Sequence, residues 1–435
     1  MDPVFISLVL LVALAILLVA GVWIGLSLLG VGWIAMVFFT GAPAGKLMAT
    51  TVWGSSASWA LTALPLFIWM GEILFRSRIS EDMFKGLAPW MAPLPGRLMH
   101  CNVFGCGIFA AISGSSAATA ATIGKITIPE LKKRGYDERM SIGSLAGAGT
   151  LGLLIPPSII MIVYGVAADV SIARLFVAGV LPGVMLMLLF SSYIAAWALF
   201  HPEKTPPRDT VTTLGGKLRA ARHLLPAVVL IAAVIGSIYT GVATPTEAAV
   251  LGVLGSLILS FAAGSLDLKT FQATVTGAMK TSCMIAFILT GAAFLTVAMG
   301  FTGIPRAMAD WIGRQGFTPG YLILVLTLLF IVLGCFLDGI SMVVLTSAVI
   351  LPSVRAAGID LLWFGIFIVL VVEMAQITPP VGFNLFVLQG LTGKDMFYVA
   401  RASLPFFFLM VAAVFVIWEF PQIVTYLPGR MFRLG

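Results

Sequence analysis

Gly152-Leu153-Leu154-Ile155-Pro156-Pro157-Ser158 is met again, in altered form, as Ile377-Thr378-Pro379-Pro380-Val381-Gly382-Phe383-Asn384, so adjacent prolines enter apolar sequence twice. Proline lacks an amide hydrogen and pushes the preceding residue out of helical conformation, so each pair breaks a helix and frees carbonyl groups. The two pairs stand 223 residues apart, and Pro129 and Pro182 are answered by Pro352 and Pro405 at the same offset. Ser113-Gly114-Ser115-Ser116 precedes the first set and Asp338-Gly339-Ile340-Ser341 the second. Gly114 and Gly339 are 225 residues apart, so a two-residue indel separates the glycines from the prolines. The pattern predicts two copies of one unit.

Composition says where such a unit lives. The chain is 60% hydrophobic and 10% charged, with a mean hydropathy of +1.09. That leaves too little polar surface for a soluble fold and predicts a polytopic membrane protein. Lipid cannot satisfy free backbone amides, so the spans are helices, each needing about 20 apolar residues. The apolar run from Val4 to Phe39 is too long for a signal peptide and reads as retained membrane structure. Cys101, Cys106, Cys283 and Cys335, like His100, His201 and His223, lack metal-ligand spacing and read as packing or helix-end residues. The net charge of +7 fits basic residues flanking a membrane, with no nucleic-acid partner.

Apolar segments run over 4–20, 22–39, 51–75, 100–128, 141–168 and 172–200, then 223–240, 246–263, 281–303, 320–352, 359–389 and 396–427. The polar linker 201–222 separates a first repeat, 1–200, from a second, 223–435. If the fourth segment of each half (100–128 and 320–352) is a re-entrant hairpin, five spans remain per half. An odd number inverts the second repeat, as in many secondary transporters. Segments 141–168 and 359–389 then hold the broken helices.

Charge supports the inversion. Lys125, Lys132, Lys133, Arg134 and Arg139 follow the first hairpin, whereas Arg355 alone answers them after the second. By the positive-inside rule the first hairpin opens to the cytoplasm and the second to the opposite side. Lys204, Arg208, Lys217, Arg219 and Arg222 put the linker inside, while Arg430 and Arg433 run against the scheme. Residues 76–99 and 305–318, with Trp90 and Trp311, read as interfacial amphipathic arms.

The chemistry concentrates at the repeated segments. Small residues and hydroxyls from Ile112 to Thr122 allow close backbone approach and suit a small hard cation such as Na+, or simple helix packing. Asp338 brings a carboxylate into an apolar stretch, where it balances a cation, carries a proton, or lines a wet hairpin mouth. Free carbonyls at Gly147–Pro156 and at Thr378-Pro379 would face the hairpins, and the half-helices after the breaks would favour a carboxylate. Glu373 stands one turn before the second break, to bind an ion or to secure the break. Glu247, after Thr244-Pro245-Thr246, reads as a helix cap, and Asp169 and Glu72 as span-end residues.

These motifs, with Gly241-Val242-Ala243-Thr244-Pro245-Thr246-Glu247-Ala248, resemble the large membrane subunit of tripartite ATP-independent periplasmic transporters over nearly the whole chain. The resemblance implies an all-α polytopic fold of inverted repeats with two re-entrant hairpins and two Pro-Pro-broken helices, of the elevator type. It also implies sodium-coupled import of a small organic acid across the bacterial inner membrane. Its partners would be a small four-helix membrane subunit and a periplasmic substrate-binding protein. Because the chain starts directly with its first half, the small subunit is expected as a separate polypeptide. Carried over by motif, Na+ would be held at Ser113, Ser115, Gly147, Thr150, Gly152 and Pro156, and again at Asp338, Gly339, Ser341, Thr378 and Pro379. The carboxylate would lie near Ser116, Thr150 and Asn384. Two pseudo-symmetric sites suggest two or more Na+ per cycle, and no organic cofactor is expected.

Other readings stay open at this point. A stand-alone H+- or Na+-coupled carrier of related fold lacks only the partners. A membrane hydrolase would need a general base beside a serine, and His100 lies a dozen residues before Ser113. A passive channel would use rings of identical residues, unlike two non-identical halves.

Overall fold

The computed structural model describes residues 3–206, 213–314, 318–334, 337–380 and 382–431. Arg208, Cys335, Val381 and Arg433 lie outside the described residues, as does the side chain of Trp311. Every regular element among the described residues is helical.

The first repeat comprises α1 (Pro3–Val19), α2 (Ile24–Phe39), α3 (Ala44–Ser56), α4 (Ala63–Phe75), α5 (Ile79–Met91), α6 (His100–Ser113), α7 (Ser116–Lys133), α8 (Glu138–Leu154), α9 (Ile159–Ala168) and α10 (Ile172–Phe200). A linker helix, α11 (Leu214–Ala221), follows. The second repeat comprises α12 (Leu225–Tyr239), α13 (Pro245–Ala262), α14 (Leu268–Thr302), α15 (Ile304–Arg314), α16 (Pro319–Gly334), α17 (Gly339–Ala356), α18 (Leu361–Gln376), α19 (Phe383–Thr392), α20 (Met396–Glu419) and α21 (Gln422–Arg430).

The repeat extends to the helix starts. Ser115 caps α7 by accepting from the Ala118 amide, and Asp338 caps α17 by accepting from Ile340 and Ser341. Asp137 and Asp360 likewise cap α8 and α18. Capping satisfies amides that lipid cannot reach, so four polar residues at matching places define where the hairpins and broken spans begin. The Thr244–Glu247 capping box is also formed, each residue bonding the other's amide at the start of α13.

Contacts at the ends of the broken spans reveal their relative direction. Lys394, just past α19, pairs with Glu138 at the start of α8 over 2.7 Å. The Tyr164 hydroxyl on α9 donates to the Leu361 carbonyl at the start of α18 over 2.7 Å, and Arg355 donates to the Ala168 carbonyl at the end of α9 over 3.3 Å. Each broken span therefore starts where the other finishes. Midway, the Leu153 amide near the end of α8 donates to Glu373 near the end of α18 over 2.9 Å, so both breaks sit at one depth. The two halves are antiparallel, as inverted repeats require. The end holding Glu138, Arg139, Lys394 and Arg401 also holds the basic foot of the first hairpin.

Helices sort into two layers. α2, α3 and α4 pack around α14, with α13 on α4, α1 on α2 and α12 on α13. The hairpins, the broken spans, α10 and α20 form the other layer, in which α8 packs on α20 and α18 on α10 as well as on their own repeat's helix. Where one bilayer supplies the solvent, close packing replaces hydrophobic burial as the cohesive force, and glycines mark it. A Cβ on Gly143 would stand 2.2 Å from the Ala402 carbonyl oxygen, and one on Gly291 2.5 Å from that of Gly25.

Some elements differ from the segments read in the sequence. α14 begins at Leu268, not near residue 281, because Lys269, Gln272 and Lys280 fall on exposed positions while Thr274 and Ala278 pack inward. The expected single segment 51–75 is bent by 50° between α3 and α4. The linker is not wholly extended, since α11 folds onto the arm helix α5. Among the described residues five helices are long and apolar enough to cross a membrane, or up to eight if each bent pair is one span. α1, α2, α16, α18 and α19 are shorter apolar helices.

Candidate functional site

Each hairpin tip meets its own repeat's break. Gly114 ends α6 in the left-handed conformation at φ 59°, where a side chain would be strained, and a Cβ there would stand 2.9 Å from the Pro157 carbonyl oxygen. Its own carbonyl accepts from the Ile159 amide over 3.4 Å, so the first turn of α9 points at the tip. Opposite, a Cβ on Gly152 would lie 2.5 Å from Ser115 O and 2.7 Å from Ser116 Cα. Backbone thus rests on backbone between tip and break.

Oxygens gather at this contact. The Ser113 hydroxyl bonds that of Thr119 over 2.7 Å and donates to the Ser115 carbonyl over 3.2 Å, and that carbonyl also accepts from the Thr119 hydroxyl over 2.8 Å. Ser113, Ser116, Thr119, Pro156 and Pro157 are buried, and Ser115 is half-buried. Hydroxyl and carbonyl oxygens of this kind are hard, uncharged ligands suited to Na+. Ser113, Ser115, Gly152 and Pro156 are brought together here, with Ser116 at the start of α7.

Gly147 and Thr150 are not. They lie on the face of α8 turned to α20: a Cβ on Gly147 would meet Phe406 at 2.5 Å, and the Thr150 hydroxyl donates to the Gly147 carbonyl over 2.7 Å beside Met410. The face toward the hairpin is instead Leu145, Gly149 and Gly152, with Gly149 against Ala120 and Leu145 against Gly124. This geometry turns Gly147 and Thr150, expected to line the cation or substrate site, away from the first tip, since residues three apart share a face and residues two apart do not.

The second tip repeats the plan with more exposure. A Cβ on Gly339 would stand 2.6 Å from Val372 and 3.2 Å from Gln376 Nε2, and one on Gly334 2.1 Å from Ala375 Cβ. Asp338 is exposed, and besides its two amides it accepts a bond from the buried Ser341 hydroxyl. It is a helix cap at an open tip, so the cost expected of a carboxylate in apolar surroundings does not arise. Thr378 and Pro379 are half-buried, and the Thr378 hydroxyl donates to the Met374 carbonyl over 2.8 Å. A Cβ on Gly382 would lie 2.8 Å from both the Gln376 and the Thr378 carbonyl oxygens, so two carbonyls of the second break converge on the space beside it, that of Thr378 also accepting the Gly382 amide over 3.1 Å.

Buried polar atoms without partners cluster at the same level. Asn384 is fully buried, and neither its carbonyl oxygen nor its amide nitrogen has a hydrogen-bond partner among the described residues. Glu373 Oε2 and Gln376 Oε1 are also unpartnered. A buried unsatisfied group costs about 1–3 kcal/mol, which is retained where a ligand repays it. Asn384 lies seven residues before Leu391, whose side chain meets the Gly124 position of α7. Two turns back along the same face put it beside the start of α7, at the level of Ser116.

Other candidates resolve into structural roles. His100 is bonded to the Ser191 hydroxyl over 2.8 Å and to the Pro95 carbonyl, while Ser113 is engaged within the tip. Among the described residues no group of three His, Cys, Asp or Glu side chains gathers to hold a metal ion. Glu72 pairs with Arg76 over 3.1 Å, and Asp169 ends α9. Sequence reasoning did not single out Thr119 or Gln376; a hydroxyl one turn after a helix cap and an amide one turn before a proline break were the signals available.

The family model described as "Tripartite ATP-independent periplasmic transporter, DctM component" matches residues 11–423. The C4-dicarboxylate TRAP transporter large permease protein DctM of Pseudomonas aeruginosa is 32% identical over 88% of each chain, and that of Vibrio cholerae 31% over 95% of each. The ectoine TRAP transporter large permease protein TeaC of Halomonas elongata is 30% identical over 86% of this chain and 87% of its own. Among solved structures, the Alcanivorax borkumensis YdaH transporter superposes with a TM-score of 0.64 at 12% identity, covering 87% of this chain and 90% of that one, a likeness of fold.

Proposed function

The chain belongs to the tripartite ATP-independent periplasmic transporters as their large membrane subunit, the DctM component, and from that premise we propose that it imports a small carboxylate by sodium symport. It is an inner-membrane transporter subunit that works with a small membrane subunit and a periplasmic binding protein. The observation that carries the sodium reading is the pairing of each hairpin tip with its own Pro-Pro break, which brings Ser113, Ser115 and the Gly152 to Pro156 backbone together in one repeat. The other repeat offers Asp338, Gly339, Ser341, Thr378 and Pro379 beside converging carbonyls. Na+ is cargo here, released on the far side, so ligands weaker than a carboxylate cage suit it.

The substrate class is drawn from the C4-dicarboxylate and ectoine relatives. C4-dicarboxylates and ectoine differ in size and charge but each carries a carboxylate. Ser116 and the unpartnered Asn384, beside the amino ends of α7 and α19, offer a hydroxyl, an amide and two helix N-termini to such a group. Movement of the hairpin layer against the α14 layer as a body would carry this site across the membrane. Ala60 and Val166 both line a cavity of about 420 Å³ between the layers, at the end away from the basic residues. Joining cysteines at these two positions should stop uptake while leaving substrate binding intact; continued uptake would reject the elevator.

Reconstitution tests the whole reading. The chain, its small subunit and its binding protein are placed in proteoliposomes, and uptake of a panel of carboxylates is measured with each component omitted in turn. Uptake that needs all three and an inward Na+ gradient supports the proposal. Uptake by the chain alone, or driven only by protons, would reject it in favour of a stand-alone carrier.

A further inference from the structure

Glu373 is a fully buried carboxyl group, one turn before the second break, and among the described residues its only hydrogen bond crosses to the other repeat. Its Oε1 accepts from the amide of Leu153, 220 residues away in sequence, and its Oε2 has no partner among those residues. A leucine or methionine would fill the same volume without desolvating a carboxyl, so packing alone does not account for this residue. Leu153 adjoins Gly152, on which the first tip rests, and Glu373 lies three residues before Gln376, whose carbonyl converges with that of Thr378 at the second break. One side chain therefore joins the backbone under the first cation site to the backbone that forms the second.

We propose that Glu373 couples the two sodium sites, so that seating one hairpin tip on its break favours the other. The proposal rests on the sodium reading and adds that the sites fill cooperatively. Coupling through a packed contact is reciprocal, and losing the contact makes the sites independent. Glu373 is then a positioning residue, acting through Leu153 and through the second break.

Sodium activation of uptake, measured over a range of Na+ concentrations in the full three-component system, tests it. The wild type and Glu373→Gln should both give a sigmoidal curve with a Hill coefficient near the number of coupled sites, about 2. The glutamine keeps an acceptor oxygen at the same reach. Glu373→Ala removes the acceptor and Glu373→Asp withdraws it by one methylene, about 1.5 Å, and for both the coefficient should fall to about 1. A merely structural role would lower the yield of folded protein and leave the shape of the curve alone. Should the alanine variant fail to assemble, the aspartate and glutamine variants decide, being polar and of similar size. A hyperbolic wild-type curve, or equal sigmoidality in all four proteins, overturns the coupling and leaves the sodium reading standing. Absence of any sodium dependence in the wild type overturns both.

Discussion

Gly152→Ala adds one methyl group where the structure has no room for it. The new Cβ would lie 2.5 Å from Ser115 O, 2.6 Å from Ser115 C and 2.7 Å from Ser116 Cα. All three are backbone atoms, so no side chain can rotate away. Ordinary contact begins near 3.4 Å, so the tip of the first hairpin and the break must separate by roughly 0.9 Å. Overpacking of this sort costs about 1–3 kcal/mol. The site's ligands come from both sides of that contact, and binding constellations tolerate only about 0.5 Å of displacement. If the whole cost falls on the sodium-bound state, affinity drops by about 5–150-fold. Sodium activation of uptake should therefore shift to higher concentration, with sodium-dependent thermal stabilisation reduced alongside. Gly390→Ala in α19 is the control, because a Cβ there meets nothing within 4 Å. Unchanged sodium activation in Gly152→Ala, matching Gly390→Ala, would refute the assignment of the first tip as a cation site.

The same geometry sets expectations for three more positions. Asn384→Leu removes two unpartnered polar atoms from a fully buried position, so the substrate-free protein should gain about 1–3 kcal/mol in denaturation while substrate half-saturation rises ~10-fold or more; equal substrate affinity would take Asn384 out of the site. Thr150→Val loses the hydroxyl's bonds to the Gly147 carbonyl and the Met410 sulfur, so stability should fall by about 1 kcal/mol with sodium activation unaltered, and a shifted sodium curve would place Thr150 in the site. Asp338→Asn keeps a good helix cap but removes the charge, so thermal stability should hold while sodium activation weakens; Asp338→Ala should in addition lose about 0.5–2 kcal/mol of stability. A normal sodium response in the asparagine variant would confine Asp338 to capping.

Much of this architecture was legible because its determinants are local. Proline pairs break helices wherever they stand, and Ser115, Asp338, Asp137 and Asp360 each cap the helix that begins at the next residue. The features that stayed hidden depend on direction or on distance along the chain. From Gly147 to Gly152 glycines recur on several faces of α8 and no charged residue marks any of them, so no periodicity distinguishes the side turned to the hairpin from the side turned to α20. That is why Gly147 and Thr150 were grouped with Gly152. Glu373 was readable as a support for its own break, but nothing in sequence links it to Leu153 in the other repeat. The amphipathic first turns of α14 escaped a hydropathy reading because Lys269 and Lys280 lower the local average while one face still packs on α4.

Symport through two sodium sites is tested most directly by co-transport of the ion itself. Radiolabelled sodium and the carboxylate would be followed together into proteoliposomes containing all three components, with no proton gradient imposed. Sodium entry should require the substrate and proceed at two or more ions per carboxylate. Carboxylate uptake without accompanying sodium, or at a single ion per molecule, would contradict the two-site symport.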